Sequence, residues 1–101
     1  MIINQFEIWI ADLEPRFGTE SGKVRPVVVI QTDLLNNLHL STIICPITTN
    51  VNSESEIFRV HLIKGTAALN EDCDIITDQI RTIYNKRFLK KLYIVPVKYY
   101  H

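Results

Sequence analysis

The residues best suited to chemistry in this chain are Arg25 and Thr48, and the chemistry they suit is that of a phosphate. Arg25 closes the stretch Phe17-Gly18-Thr19-Glu20-Ser21-Gly22-Lys23-Val24-Arg25-Pro26. Its two glycines admit loop conformations that a Cβ disfavours. Pro26 has a fixed φ and drives the residue before it into extended backbone. A loop therefore ends in an arginine held at the mouth of a strand. A guanidinium presents a planar fork of donors that matches phosphate oxygens and stays charged at any working pH. Thr48, at the end of another apolar run, offers a hydroxyl to a further phosphate oxygen. Were the phosphate part of RNA, the 2′-hydroxyl could itself be the nucleophile. The protein would then supply positioning and charge stabilisation. Other schemes lack their residues. There is no GxSxG elbow, and neither Cys45 nor Cys73 has an evident histidine partner. Each candidate also has a plain structural reading: Arg25 as a surface arginine paired with Glu20, Thr48 as a β-branched strand residue, Asp78 as a turn cap.

The elements that must position these residues are mostly strands. Phe6–Leu13 is rich in β-formers and partly alternates, which predicts a first strand. The second covers about Arg25–Gln31, with the β-branched run Val27-Val28-Val29-Ile30. Asp33 is placed to cap a short helical turn through Asn37. A third strand spans Thr42–Thr49, where Pro46 implies a bulge or an edge. In Ile57–Leu62, alternation turns Phe58, Val60 and Leu62 inward and Arg59 and His61 outward. Cys73–Ile83 reads as one bent strand or two short ones, Lys86–Lys91 as a helical turn and Leu92–Val97 as a last strand. Many short strands with little helix indicate a small, strongly curved sheet or barrel.

With 101 residues, the chain is read as one domain spanning 1–101. No apolar run approaches a membrane span, and the start lacks the pattern of a signal peptide. The expected location is the cytoplasm, with both cysteines reduced. Cys45, Cys73, His39, His61 and His101 show no metal-ligand spacing, and no cofactor is expected. Net charge is zero, which argues against coating nucleic acid by bulk electrostatics. Yet residues 1–78 hold all eleven acidic groups and five basic ones, while residues 79–101 hold six basic groups and no acid. That asymmetry suggests either a basic face for an anionic partner or a solvated tail that balances the rest.

Four blocks carry a family resemblance: Ile8–Pro15, Gly18–Val29, Cys45–Thr49 and Asp78–Ile83, in that order. Together they resemble the MazF/PemK toxins of bacterial toxin–antitoxin systems over about residues 5–92. The resemblance implies an SH3-like barrel of the PemK/MazF type, a homodimer and a cognate antitoxin. It also implies a metal-independent, sequence-specific endoribonuclease that cuts single-stranded RNA to a 2′,3′-cyclic phosphate and a 5′-hydroxyl. By the same resemblance Arg25 and Thr48 match the catalytic pair, and Asp78 matches an acidic position used in acid–base chemistry by some members. Glu20 matches the loop carboxylate. Phe17, Thr19 and Lys23 lie in the loop expected to close over RNA, and Gln79 and Arg81 match positions near the RNA groove and dimer surface. Family members usually continue into a C-terminal helix, for which the ending Tyr99-Tyr100-His101 leaves no room, so the expected fold is the barrel with that helix missing. Tyr84, Ala68 and Tyr93 also depart from the family's common residues. Two alternatives follow: an impaired member that only binds antitoxin, or a CcdB-like gyrase poison, against which the lack of a Trp-Gly-Ile ending argues.

Overall fold

A computed structural model describes residues 2–13, 24–49, 51, 59–63 and 71–96. Seven antiparallel strands account for most of them: β1 (Glu7–Asp12), β2 (Val24–Val29), β3 (Ser41–Thr48), β4 (Arg59–Leu62), β5 (Cys73–Ile76), β6 (Arg81–Tyr84) and β7 (Phe88–Ile94). They form one sheet in the order β4-β5-β3-β2-β1-β7, with β6 paired to β3 beside β5. Among the described residues the sheet is mainly β and barrel-like, without closing on itself, and it contains no α-helix.

The sheet buries side chains on both faces, as the two-residue period of its strands requires. On one face Ile8, Val28, Cys45, Ile47, Leu62, Cys73, Ile75 and Val95 form a cluster. On the other, Trp9, Ala11, Leu13, Val27, Val29, Ile44, Ile83 and Phe88 pack with Ile3. Trp9 and Phe88 meet edge to face, with ring centroids 5.5 Å apart. Beneath Trp9, the buried Glu7 accepts from the indole Nε1 at 3.1 Å, from the Asn4 backbone N–H at 2.8 Å and from Lys91 Nζ at 3.0 Å.

The stretch 73–83 is two strands, β5 and β6, that take successive places along β3. Pro46 is neither at an edge nor at a bulge. On one side it faces Val27. On the other it falls between Ile44, opposite Arg81, and Ile47, opposite Ile75. Its missing N–H thus lies where β3 changes partner and no ladder bond is called for. The helical turn expected over Lys86–Lys91 is only a 3-10 turn, Asn85–Arg87, after which β7 begins at Phe88. Pairing of Ala11 with Phe88 and Trp9 with Lys91 overrides the local polar pattern. Asp33 does not cap a helix. Its Oδ1 accepts from the Gln5 N–H at 2.7 Å and Asn36 Nδ2 at 2.9 Å, tying a series of turns to the N-terminal segment.

Candidate active site

The register brings the two leading candidates together. Val27 lies opposite Pro46 and Val28 opposite Cys45, so carrying the same antiparallel register two residues further sets Arg25 beside Thr48. Arg25 is half-buried near the start of β2, and Thr48 half-buried at the end of β3. Both line one cavity of about 190 Å³, together with Pro26, Ile47, Thr49 and Cys73. A guanidinium and a hydroxyl facing one small cavity can hold two oxygens of a single tetrahedral anion. Among the described residues nothing else in the lining is charged.

The other candidates are elsewhere. Asp78 is exposed in the turn after β5 and does not line this cavity. Gln79, half-buried, donates its backbone N–H to Ile76 O at 3.2 Å and closes that turn. Arg81 stands opposite Ile44 on β6, and its Nη1 donates to Leu13 O at 3.3 Å. Arg87 does the same for Asp12 O, also at 3.3 Å. Two guanidiniums therefore hold the carbonyls that end β1, just before the segment 14–23. Phe17, Thr19, Glu20 and Lys23 belong to that segment and lie outside the described residues.

The structure adds a group that the sequence pattern did not single out. Asp74, fully buried on β5, is opposite Thr48 on one side and His61 of β4 on the other. Its Oδ2 takes a hydrogen bond from Arg59 Nη1 at 3.1 Å, and its Oδ1 is bonded to His61 Nδ1. Arg59 and His61 do face away from Val60 and Leu62 as alternation required, but they are half-buried against a carboxylate rather than free in solvent. The available signal was an acid between Cys73 and Ile75-Ile76, in an otherwise apolar strand, with an Arg-x-His strand nearby. Such an acid, once buried, needs partners.

Both cysteines are free and buried. Burial pushes the Cys45 thiol up to about 11. Cys73, in the cavity wall, is also raised, by burial first and then by the charges of Glu71, Asp72 and Asp74. Neither thiol is set up as a nucleophile. Among the described residues no group of three or more His, Cys, Asp or Glu is arranged to hold a metal ion. No helix among them is long and apolar enough to cross a membrane.

The family model for the PemK-like, MazF-like toxins of type II toxin–antitoxin systems matches residues 4–100. The chain belongs to this toxin family. A relative named endoribonuclease MazF, from Staphylococcus epidermidis, is 37% identical over 91 residues, covering 90% of this chain and 76% of that one. Solved toxins of the family share the fold at lower identity. MazF from Deinococcus radiodurans superposes with a TM-score of 0.79 at 19% identity, over 97% of this chain and 86% of that one. Mycobacterium tuberculosis toxin MazF-mt6 gives 0.72 at 21%, over 91% and 82%. A MazE–MazF structure from D. radiodurans gives 0.69 at 16%, over 97% and 85%. The MazF/PemK fold thus underlies a chain whose site row runs across β2, β3, β5 and β4.

Proposed function

We propose that the chain is a sequence-specific endoribonuclease that cuts single-stranded RNA without a metal ion, by attack of the substrate's own 2′-hydroxyl. The observation that carries this reading is the single cavity shared by Arg25 and Thr48, from adjacent strands. Membership of the toxin family and the 37%-identical endoribonuclease support it.

In this reading the scissile phosphodiester enters the cavity with its non-bridging oxygens on the Arg25 guanidinium. The 2′-oxygen attacks phosphorus and passes its proton to solvent water, which in turn supplies one to the leaving 5′-oxygen. The bond from phosphorus to the 5′-oxygen breaks, and that oxygen leaves as a 5′-hydroxyl once protonated. The other product is a 2′,3′-cyclic phosphate. Negative charge grows on the phosphorane oxygens, where a fixed guanidinium and the Thr48 hydroxyl stabilise it more than they stabilise the ground state. Asp78 is proposed to assist that proton transfer, its exposed turn drawn toward the cavity when RNA binds. Phe17, Thr19, Glu20 and Lys23 are proposed to contact the bases and backbone flanking the cut, with Gln79 and Arg81 at the groove margin.

The same reading includes a homodimer and a cognate antitoxin that blocks the groove. One solved neighbour is a MazE–MazF structure, in which a MazF is paired with a second protein, and the matching family model describes toxins of toxin–antitoxin systems. Leu40 and Tyr84, both well exposed, border a shallow depression with Asn85 and Lys86, a surface suited to burial between copies.

The test is cleavage of a long, unstructured RNA in excess EDTA by wild type, Arg25→Ala and Thr48→Ala. Cuts at one recurring short motif, with cyclic-phosphate ends, are expected from wild type. Each substitution is expected to slow cleavage by roughly 100-fold or more while the protein stays folded. A folded wild type that leaves the RNA intact would refute the reading and favour a member that only binds antitoxin.

A further inference from the structure

Asp74 is a fully buried carboxylate placed directly against the catalytic row, and the reaction as drawn above does not use it. Across the sheet, Arg25, Thr48, Asp74 and His61 occupy successive strands on one face, the face that also carries Trp9, Ala11, Val27 and Ile44. Directly opposed residues on neighbouring strands have Cβ atoms about 5 Å apart. Asp74 is thus the nearest cross-strand neighbour of Thr48 on the side away from Arg25. Among the described residues two pairs, Ile47–Ile75 and Thr48–Asp74, join β3 to β5.

A carboxylate in that place carries an electrostatic hazard. Unneutralised, it would repel the phosphate that Arg25 is there to bind. The structure answers this from β4: Arg59 bonds one carboxylate oxygen and His61 the other. The charge is balanced, and the carboxylate is fixed from behind at both oxygens. His61 Nε2 is itself buried, with no hydrogen-bond partner among the described residues. The ring's contact with Asp74 therefore accounts for its placement.

We infer that Asp74 is a positioning residue for Thr48, locked by Arg59 and His61 so that the end of β3 presents its hydroxyl to the cavity at a fixed place. The inference rests on the endoribonuclease reading. It assigns no proton transfer to Asp74. What it assigns is geometry: β4, remote from the cavity, reaches the reacting phosphate through one buried carboxylate.

The experiment measures single-turnover and steady-state cleavage of the same RNA by wild type, Asp74→Asn, Thr48→Ala and the double variant, each checked for folding by circular dichroism and thermal melting. Asp74→Asn keeps the shape and removes the charge. A misplaced hydroxyl is expected to lower kcat roughly 10- to 100-fold while KM stays within about twofold. In the Thr48→Ala background, the same change is expected to cost less than about twofold, since the group through which it acts is gone. A merely structural role would lower the melting temperature and leave kcat per folded molecule unchanged, and that result overturns the inference. Equal losses in both backgrounds overturn it as well. Should Asp74→Asn not fold, His61→Gln cuts the clamp from its more exposed side. A smaller kcat loss that vanishes with Thr48→Ala supports the inference, and wild-type kcat refutes it. Wild type that fails to cut RNA brings down the endoribonuclease reading and this inference together, whereas cleavage with additive losses brings down this inference alone.

Discussion

Replacing Glu7 by glutamine isolates one buried charge and gives a stability change whose pH dependence has a definite sign. Burial alone would push the Glu7 carboxyl up. The Asn4 backbone N–H, Lys91, the Trp9 indole and the Asn4 side chain outweigh that and hold it below its ordinary value of 4.5. Glutamine can keep the contacts of Oε1 with Asn4 and Trp9, but its amide nitrogen would face Lys91 Nζ, donor against donor. A hydrogen bond to a charged group contributes about 1.5–3 kcal/mol. Lys91 is 54% exposed and can turn to water, so solvent screening reduces the expected loss to about 1–2 kcal/mol. For a domain of this size that is a fall in Tm of about 5–15 °C at pH 7. Because the folded-state pKa is depressed, the contribution is present above the unfolded value and disappears as pH falls through the folded one. Melting curves of the two proteins should therefore differ most near neutrality and converge toward pH 3. An equal gap at both ends of that range would refute the argument, as would a glutamine variant as stable as wild type at pH 7.

Two further outcomes follow from groups near the cavity. With the Cys45 thiol at about 11, its thiolate fraction at pH 8 is about a hundredfold below that of an ordinary cysteine. Alkylation of the native protein should be correspondingly slow at Cys45, slowed also at Cys73, and fast at both in denaturant, as read by mass spectrometry. Rapid native labelling of Cys73 would contradict its placement in the wall. Arg81→Met removes the donor to Leu13 O, and the loss of that charge-assisted bond should raise KM for RNA about fivefold with kcat nearly unchanged. An unchanged KM would show that the end of β1 does not depend on it.

The sequence displayed the strands well wherever apolar residues ran together, as in Val27-Val28-Val29 and Ile43-Ile44, because β-branched packing there agrees with the local pattern. It displayed the Arg25–Thr48 pair through composition and resemblance, and the β2–β3 register then supplied the reason they meet. The start of β7 was hidden. Lys90-Lys91 suggests solvent, and only pairing to β1 makes those residues part of a strand. Lysines on a strand paired along one edge also discourage association through the other. Pro46 misled for a related reason: its tolerance depends on where two distant strands divide the flank of β3. Asp74 was overlooked because a single acid in an apolar run has no period, and its partners, Arg59 and His61, come from a strand brought in by the fold.

The order in which the row is assembled has a biological meaning. Its members come from residues 25, 48, 61 and 74, so no local piece of chain contains them, and each must wait for pairings of long sequence separation. During synthesis, Arg25 and Thr48 leave the ribosome well before β5 exists to flank Thr48. A nascent or broken chain that stops short of Cys73–Ile76 would carry Arg25 and Thr48 without the strand that flanks Thr48. Under the proposed activity, late completion of the site would act as a safeguard for a cell that holds the substrate RNA.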